Sequence, residues 1–240
     1  LALLRGARTK TRPAHGKTEI KTEIKSMMLD IRVLELLASK ICHDLISPVS
    51  AINNGVELIE DIGGDVMDEA MKLIGSSASH ASRRLKLFRL AYGRAGSEAN
   101  LPVRDVRQTI EQYLQNGKIA LNWPESVVLD RLAAQRGGLK TLANLVIMGE
   151  EILAYGGSLT VRDVPEGNTA ACVLEVVGRN AQLSEAFSGA LTGVTLIEDL
   201  SPRTIQAYVT GRFAESFGLG VTSSLPDPDH LDLSLSVLSL

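Results

Sequence analysis

From about Met28 onward, Leu34, Leu37, Ile41, Leu45, Pro48, Ile52, Val56 and Ile59 recur at steps of three or four residues. That spacing matches the helical period of about 3.6 and puts these side chains on one face of a long α-helix. A helix over 28–62 extends roughly 50 Å at about 1.5 Å per residue. Gly63-Gly64 stops it and Asp65 supplies an N-cap. A second stripe then runs in alternating steps of four and three through Met67, Met71, Ile74, Ala78, Ala81, Leu85, Phe88 and Tyr92, until Gly93 and Gly96. Two such helices fold back as an antiparallel hairpin. A hairpin alone leaves one side of its apolar seam wet, so the pattern predicts a homodimer in which two hairpins make a four-helix bundle.

Past the Gly/Ser/Glu/Asn linker at 96–100 the texture turns to mixed helix and strand. Val103, Val106, Ile110 and Leu114 mark a helix, Ile119 to Trp123 a short strand, and Arg136 to Ala154 a longer helix. Ser158 to Asp163 and Ala171 to Val177 alternate as strands, with Cys172, Leu174 and Val176 on one face. Helices near 182–191 and 203–217 follow. Leu219 to Ser223 and the alternating Leu231, Leu233, Leu235 and Val237 close the chain around a turn expected at Pro226-Asp227-Pro228-Asp229. The expected class is α+β: a helical hairpin over 28–96, then a two-layer α/β sandwich over 101–240 with helices on one sheet face.

Charge divides the chain unevenly. Residues 1–26 hold seven Lys/Arg against two Glu, whereas 27–240 hold 18 against 26, a net of −8. The basic head lacks apolar periodicity and reads as a disordered leader over 1–27. The acidic body lacks the clustered positive charge that tracks a phosphate backbone, which argues against nucleic acid as a partner. No run approaches the roughly 18 apolar residues of a membrane helix. Cys42 and Cys172 give neither a disulfide framework nor metal-ligand spacing, which suits a reducing cytoplasm.

The chemistry concentrates in Ile41-Cys42-His43-Asp44-Leu45-Ile46-Ser47-Pro48. With the Leu34 to Ile59 stripe taken as inward, His43 falls about 180° away and faces solvent. Ser39, Ser47, Ser50 and Asn54 share this outer face, leaving room for a docking protein. A neutral imidazole is a good nucleophile near neutral pH and its phosphoramidate readily passes a phosphoryl group to a carboxylate. Asp44 flanks the same face as the group that orients the ring. Pro48 has no N–H, so the carbonyl of Asp44 loses its helical partner and the helix is free to bend near the histidine. Lys40, one turn before His43, and Arg83, Arg84 and Lys86, which the hairpin folds back toward it, are candidates to meet a phosphoryl group or an acidic partner surface. Each also reads as a solvated face.

His43-Asp44-Leu45-Ile46-Ser47-Pro48 resembles the H-box of histidine-kinase dimerisation helices. The longer string from Cys42 to Ile52, with Phe88-Arg89-Leu90-Ala91-Tyr92-Gly93 closing the second helix, is similar to the ChpT-type histidine phosphotransferases of alphaproteobacterial cell-cycle phosphorelays. The resemblance covers 28–240. It implies a dimerisation and phosphotransfer bundle followed by a degenerate relative of the kinase ATP-binding domain. It further implies a phosphoryl group carried by His43 from the receiver domain of a CckA-type hybrid kinase to CtrA-type and CpdR-type response regulators. The receivers bring the Mg²⁺, and this chain holds no metal or cofactor of its own. Many kinases carry Arg where this chain has Ile46, which makes that position an apolar docking contact.

An ATP-binding domain of this type needs an Asn-rich helix, an Asp-x-Gly-x-Gly adenine turn and a Gly-rich lid. Here the helix keeps one asparagine, Asn144, and adds Glu150 and Glu151, which are expected to repel a triphosphate. The turn reads Val177-Gly178-Arg179-Asn180-Ala181, and Gly218-Leu219-Gly220 suits a helix cap and strand start better than a lid. Two other readings stand beside a phosphotransferase: a sensor-kinase fragment labelled from ATP, and a non-catalytic dimeric scaffold for response regulators.

Overall fold

The computed structural model describes residues 30–62, 67–97 and 101–238; the expected leader and the Gly63-Gly64 turn with its Asp65 cap lie outside them. Helix α1 (Ile31–Ile62) runs unbroken through Pro48 and packs along α2 (Met67–Ala91) as a hairpin. Pro48 itself is buried on the inner side, so the position that lacks an N–H sits against the partner helix and the helix passes through it. The two helices approach closely at Gly55, where an added Cβ would meet Ala70 O at 3.3 Å and the Ile74 side chain at 2.6 Å.

A short 3-10 turn (Arg94–Ser97) leads into α3 (Val103–Leu114), β1 (Ile119–Asn122), the one-turn α4 (Asp130–Ala133) and α5 (Gly138–Ile152). There follow β2 (Gly157–Asp163), β3 (Ala170–Val177), α6 (Glu185–Thr192), α7 (Ile205–Ser216), β4 (Leu219–Asp227) and β5 (His230–Val237). The sheet order is β1-β2-β3-β5-β4, with β1 parallel to β2 and the other pairs antiparallel. Ser184 caps α6 by accepting from Phe187 N at 3.2 Å, and Gly193 ends it at φ +75°.

One strand end differs from expectation. β4 continues past its expected end at Ser223 through Pro226 to Asp227, which leaves the turn to Pro228-Asp229 within the expected stretch; the strand lies at the sheet edge, where a residue without an N–H breaks no ladder. The inward stripe of α1 also differs: Leu34 and Val56 are exposed in the single chain, so part of that stripe has nothing of its own chain to cover it.

The core forms around α5, whose residues Gly138 to Gly149 are all buried. It lies between the sheet and the end of the hairpin, touching α2, α3, α7 and β3. Its polar side chains are spent on the hairpin. Asn144 Nδ2 donates to Ala91 O at 2.8 Å and to Lys140 O at 2.9 Å, and Lys140 Nζ donates to Gly93 O at 2.7 Å. Gln206 of α7 donates to Asn144 Oδ1 at 3.1 Å and accepts the Tyr92 hydroxyl at 2.6 Å. Arg32 ties the other flank, donating to Ile197 O at 3.0 Å and Leu200 O at 2.9 Å. These contacts, buried at Asn144 and Gln206, join the two parts of the chain into one packed unit.

Candidate functional site

His43 stands out from α1 with 87% of its side chain exposed, while the neighbouring Asp44 side chain is 18% exposed. Consecutive helical residues point about 100° apart, so the imidazole reaches water while the carboxylate turns toward α2. His43 Nδ1 lies 3.5 Å from Asp44 Oδ1. Ser39, Ile46, Ser47, Ser50 and Asn54 are exposed with it.

Asp44 is held by two cations. Its Oδ2 lies 3.7 Å from Lys40 Nζ and 3.5 Å from Arg84 Nη1. Each cation is anchored in turn by the helix α5: Lys40 pairs with Glu151, and Arg84 Nη2 donates to Glu150 Oε1 at 3.2 Å. Tyr113 of α3 completes the cluster by accepting from Arg84 Nη1 at 3.2 Å and donating to Glu150 Oε2. Burial first, and then the Glu150 charge, push the Tyr113 phenol well above its ordinary range, so it remains a donor. Burial works against the Arg84 charge, but Tyr113, Glu150 and Asp44 outweigh it and raise the guanidinium above its ordinary value. The cluster therefore runs from α3 and α5 through Arg84 to the carboxylate beside the exposed imidazole.

Glu150 and Glu151, expected to repel a triphosphate, have a role not read from the sequence: they anchor Arg84 and Lys40. The signal for them was two adjacent acids ending the apolar run Leu145-Val146-Ile147-Met148, since acids at the border of a buried helix need partners. Tyr113 left no such signal. Of the three candidates on α2, Arg83, Arg84 and Lys86, Arg84 is the one that pairs with Asp44 among the described residues. Arg83 faces a cleft that His80 and Arg84 also line, and Lys86 lines grooves farther along the helix.

Glu151 also has a pH signature. Burial raises its pKa and the Lys40 charge offsets this only in part, while Oε2 is shielded without a hydrogen-bond partner. A carboxyl whose folded pKa is raised favours the fold when protonated. That contribution is present below its unfolded pKa and lost as pH rises through the folded one. Glu151→Gln is therefore expected to unfold at a higher temperature than the parent at pH 8, with the difference vanishing near pH 4, as checked by calorimetry at the two pH values.

A profile of the histidine phosphotransferase C-terminal domain matches residues 103–229. The protein phosphotransferase ChpT of Brucella abortus (strain 2308) is 36% identical over 188 residues, which span 78% of this chain and 87% of that protein. The chain belongs to the ChpT-type histidine phosphotransferases. A solved bacterial phosphotransferase structure superposes with a TM-score of 0.69 at 30% identity, covering 88% of this chain and 98% of that one. As a ChpT-type phosphotransferase the chain is a phosphorelay protein, and the α+β architecture accords with that structure. Among the described residues no helix is long and apolar enough to cross a membrane.

Proposed function

We propose that His43 carries the phosphoryl group, taking it from the phospho-aspartate of a hybrid kinase receiver domain and giving it to the aspartate of a response regulator. The observation that carries this reading is the contrast within one dipeptide: an open imidazole beside a carboxylate held by Lys40 and Arg84. With Asp44 accepting the Nδ1 proton, the Nε2 lone pair faces the docked partner. The Nε2–P bond forms as the O–P bond of the donor aspartate breaks, and the donor leaves as a free carboxylate. In the second half the acceptor carboxylate attacks phosphorus and the Nε2–P bond breaks. Mg²⁺ belongs to the receivers. This chain contributes position and the exclusion of water, which is most of what phosphoryl transfer asks of a protein.

The small exposed residues Ser39, Ser47, Ser50 and Asn54 permit close approach of a receiver helix, and Ile46, 65% exposed, supplies an apolar contact. By family resemblance the donor is CckA-type and the acceptors CtrA-type and CpdR-type, in the cytoplasm. Incubating the chain with a phosphorylated receiver domain is expected to give an acid-labile label that mass spectrometry places on His43. A label elsewhere, or none, overturns the reading.

ATP is not the phosphoryl source in this reading. Asn144 donates to the hairpin and accepts from Gln206, and the Val177 to Ala181 turn is closed by Asp229, which accepts from Gly178 N at 3.0 Å and Asn180 N at 2.8 Å. Labelled ATP with Mg²⁺ alone is expected to leave the chain unlabelled, the opposite of what a kinase fragment does.

A homodimer covers what a single hairpin leaves open. Val49, Val56, Met71 and Leu85 are exposed along the two helices, and Ile52, Ala78, Ala81 and Leu85 line an apolar groove between them. A charge there meets its own copy across the two-fold axis. Leu85→Asp is expected to convert a dimer into a monomer by light scattering, with the helical circular dichroism signal of the second domain retained.

A further inference from the structure

A cleft of about 350 Å³ opens between α2, the α3–β1 turn and the end of α5, on a different side of α2 from the apolar groove. Its volume falls in the range of small-ligand sites, about 300–1,000 Å³. Arg83, Arg84 and Lys118 face it, with Glu150 as the one carboxylate on its wall among the described residues. That acid is occupied by Arg84 and Tyr113. Arg83 and Lys118 have no acidic partner within 4.0 Å among the described residues, and Arg83 Nε is shielded from solvent with no hydrogen-bond acceptor. A shielded guanidinium N–H without an acceptor is costly unless something arrives to take it. The positive balance is notable in a body whose net charge from residue 27 onward is −8.

The remaining lining suits an oxyanion with a small body. His80 accepts from Arg84 Nε at 3.2 Å through Nε2, which leaves Nδ1–H as a donor. Burial first, then the charges of Arg84 and Arg83, lower its pKa below the ordinary imidazole value, the mark of an already positive surrounding. Asn116 brings a side-chain amide from the turn, where it takes φ +63°. Leu114 and Ile119 form the apolar wall.

We propose that this cleft binds the phosphate group of a small molecule, with Arg83 and Lys118 as its charged donors and the Leu114 and Ile119 wall beside the ester substituent. A planar guanidinium and an ammonium converging from two elements match a tetrahedral dianion, and charge-assisted bonds of this kind are the strong ones. Because Arg84 forms one wall and also holds Asp44, an occupant touches the same side chain that fixes the carboxylate beside His43. The cleft thus offers the relay a place to sense a phosphorylated metabolite or free phosphate, whichever receivers it serves.

The test is a titration of the full chain, followed by the amide shift of Gly117 in nuclear magnetic resonance and by calorimetry. Inorganic phosphate and glycerol phosphate are the two probes. Saturable binding is expected, weakened at least about tenfold in Arg83→Gln and again in Lys118→Gln, with unchanged melting temperatures showing that the variants fold. Tighter binding of the ester assigns the cleft to a phosphorylated metabolite, and equal binding assigns it to free phosphate. Absence of saturation at tens of millimolar, or equal affinity in parent and variants, overturns the proposal. So does a result in which Arg83→Gln slows transfer from a receiver while neither probe binds, since the cleft is then part of a protein dock. The two binding readouts do not depend on phosphate reaching His43, so the relay reading and this one stand or fall separately.

Discussion

His43→Ala is expected to abolish phosphoryl acceptance, lowering transfer from a phosphorylated receiver by at least about 10³-fold. The same variant should keep its melting temperature within about 1 °C of the parent, because an 87% exposed side chain carries little packing. It should also bind receivers as the parent does, since the contact residues around it are untouched. Gel-resolved phosphotransfer, thermal unfolding and receiver binding on the same preparation separate the possibilities. Transfer surviving the change means the phosphoryl group travels elsewhere. Receiver binding that persists while the parent itself never accepts label makes the chain a scaffold.

Arg84→Met is the second large effect, and it acts on stability and rate together. It removes the bond to Tyr113, the pair with Glu150 and one of the two cations on Asp44, leaving acids behind with fewer partners. A partly buried pair broken on one side costs about 2–3 kcal/mol here, at the lower end because the cluster is partly exposed. For a chain of this size that is a fall of about 5–10 °C in melting temperature. Asp44 keeps only Lys40, so the imidazole is less well oriented and transfer slows by about ten- to hundredfold. Arg84→Lys is expected to recover part of the rate through its charge and little of the fork geometry. If both variants lose stability with transfer per folded molecule unchanged, Arg84 is a structural tie and does not position Asp44.

Much of this architecture is legible from spacing alone. A helix with one wet face prints its period into the sequence, which is why α1 and α2, and the outward direction of His43, follow from the wheel. α5 is different: with Gly138 to Gly149 buried on all sides, it has no wet face and no period, and only its length distinguishes it from a buried strand. β4 ran past its expected end because edge position, which excuses Pro226, is a property of the assembled sheet. The Asp44 cluster was half readable. Lys40, Asp44 and Arg84 sit on the hairpin and emerge from its geometry, whereas Glu150, Glu151 and Tyr113 reach them only through the docking of α3 and α5 on α2, a contact between segments about 30 to 110 residues apart that no local pattern encodes.

The ties of α5 and α7 to the hairpin carry a thermodynamic consequence. A module that brings its own high-energy donor to a histidine has to travel to it, and this one is bolted at Ala91, Gly93, Tyr92, Lys40 and Arg84. Under the proposed reading, in which ATP is not the phosphoryl source, such a chain adds no free energy to the traffic passing over it. The net current through His43 then runs downhill between whichever carboxylates are most and least charged with phosphate, and reverses when their loading reverses.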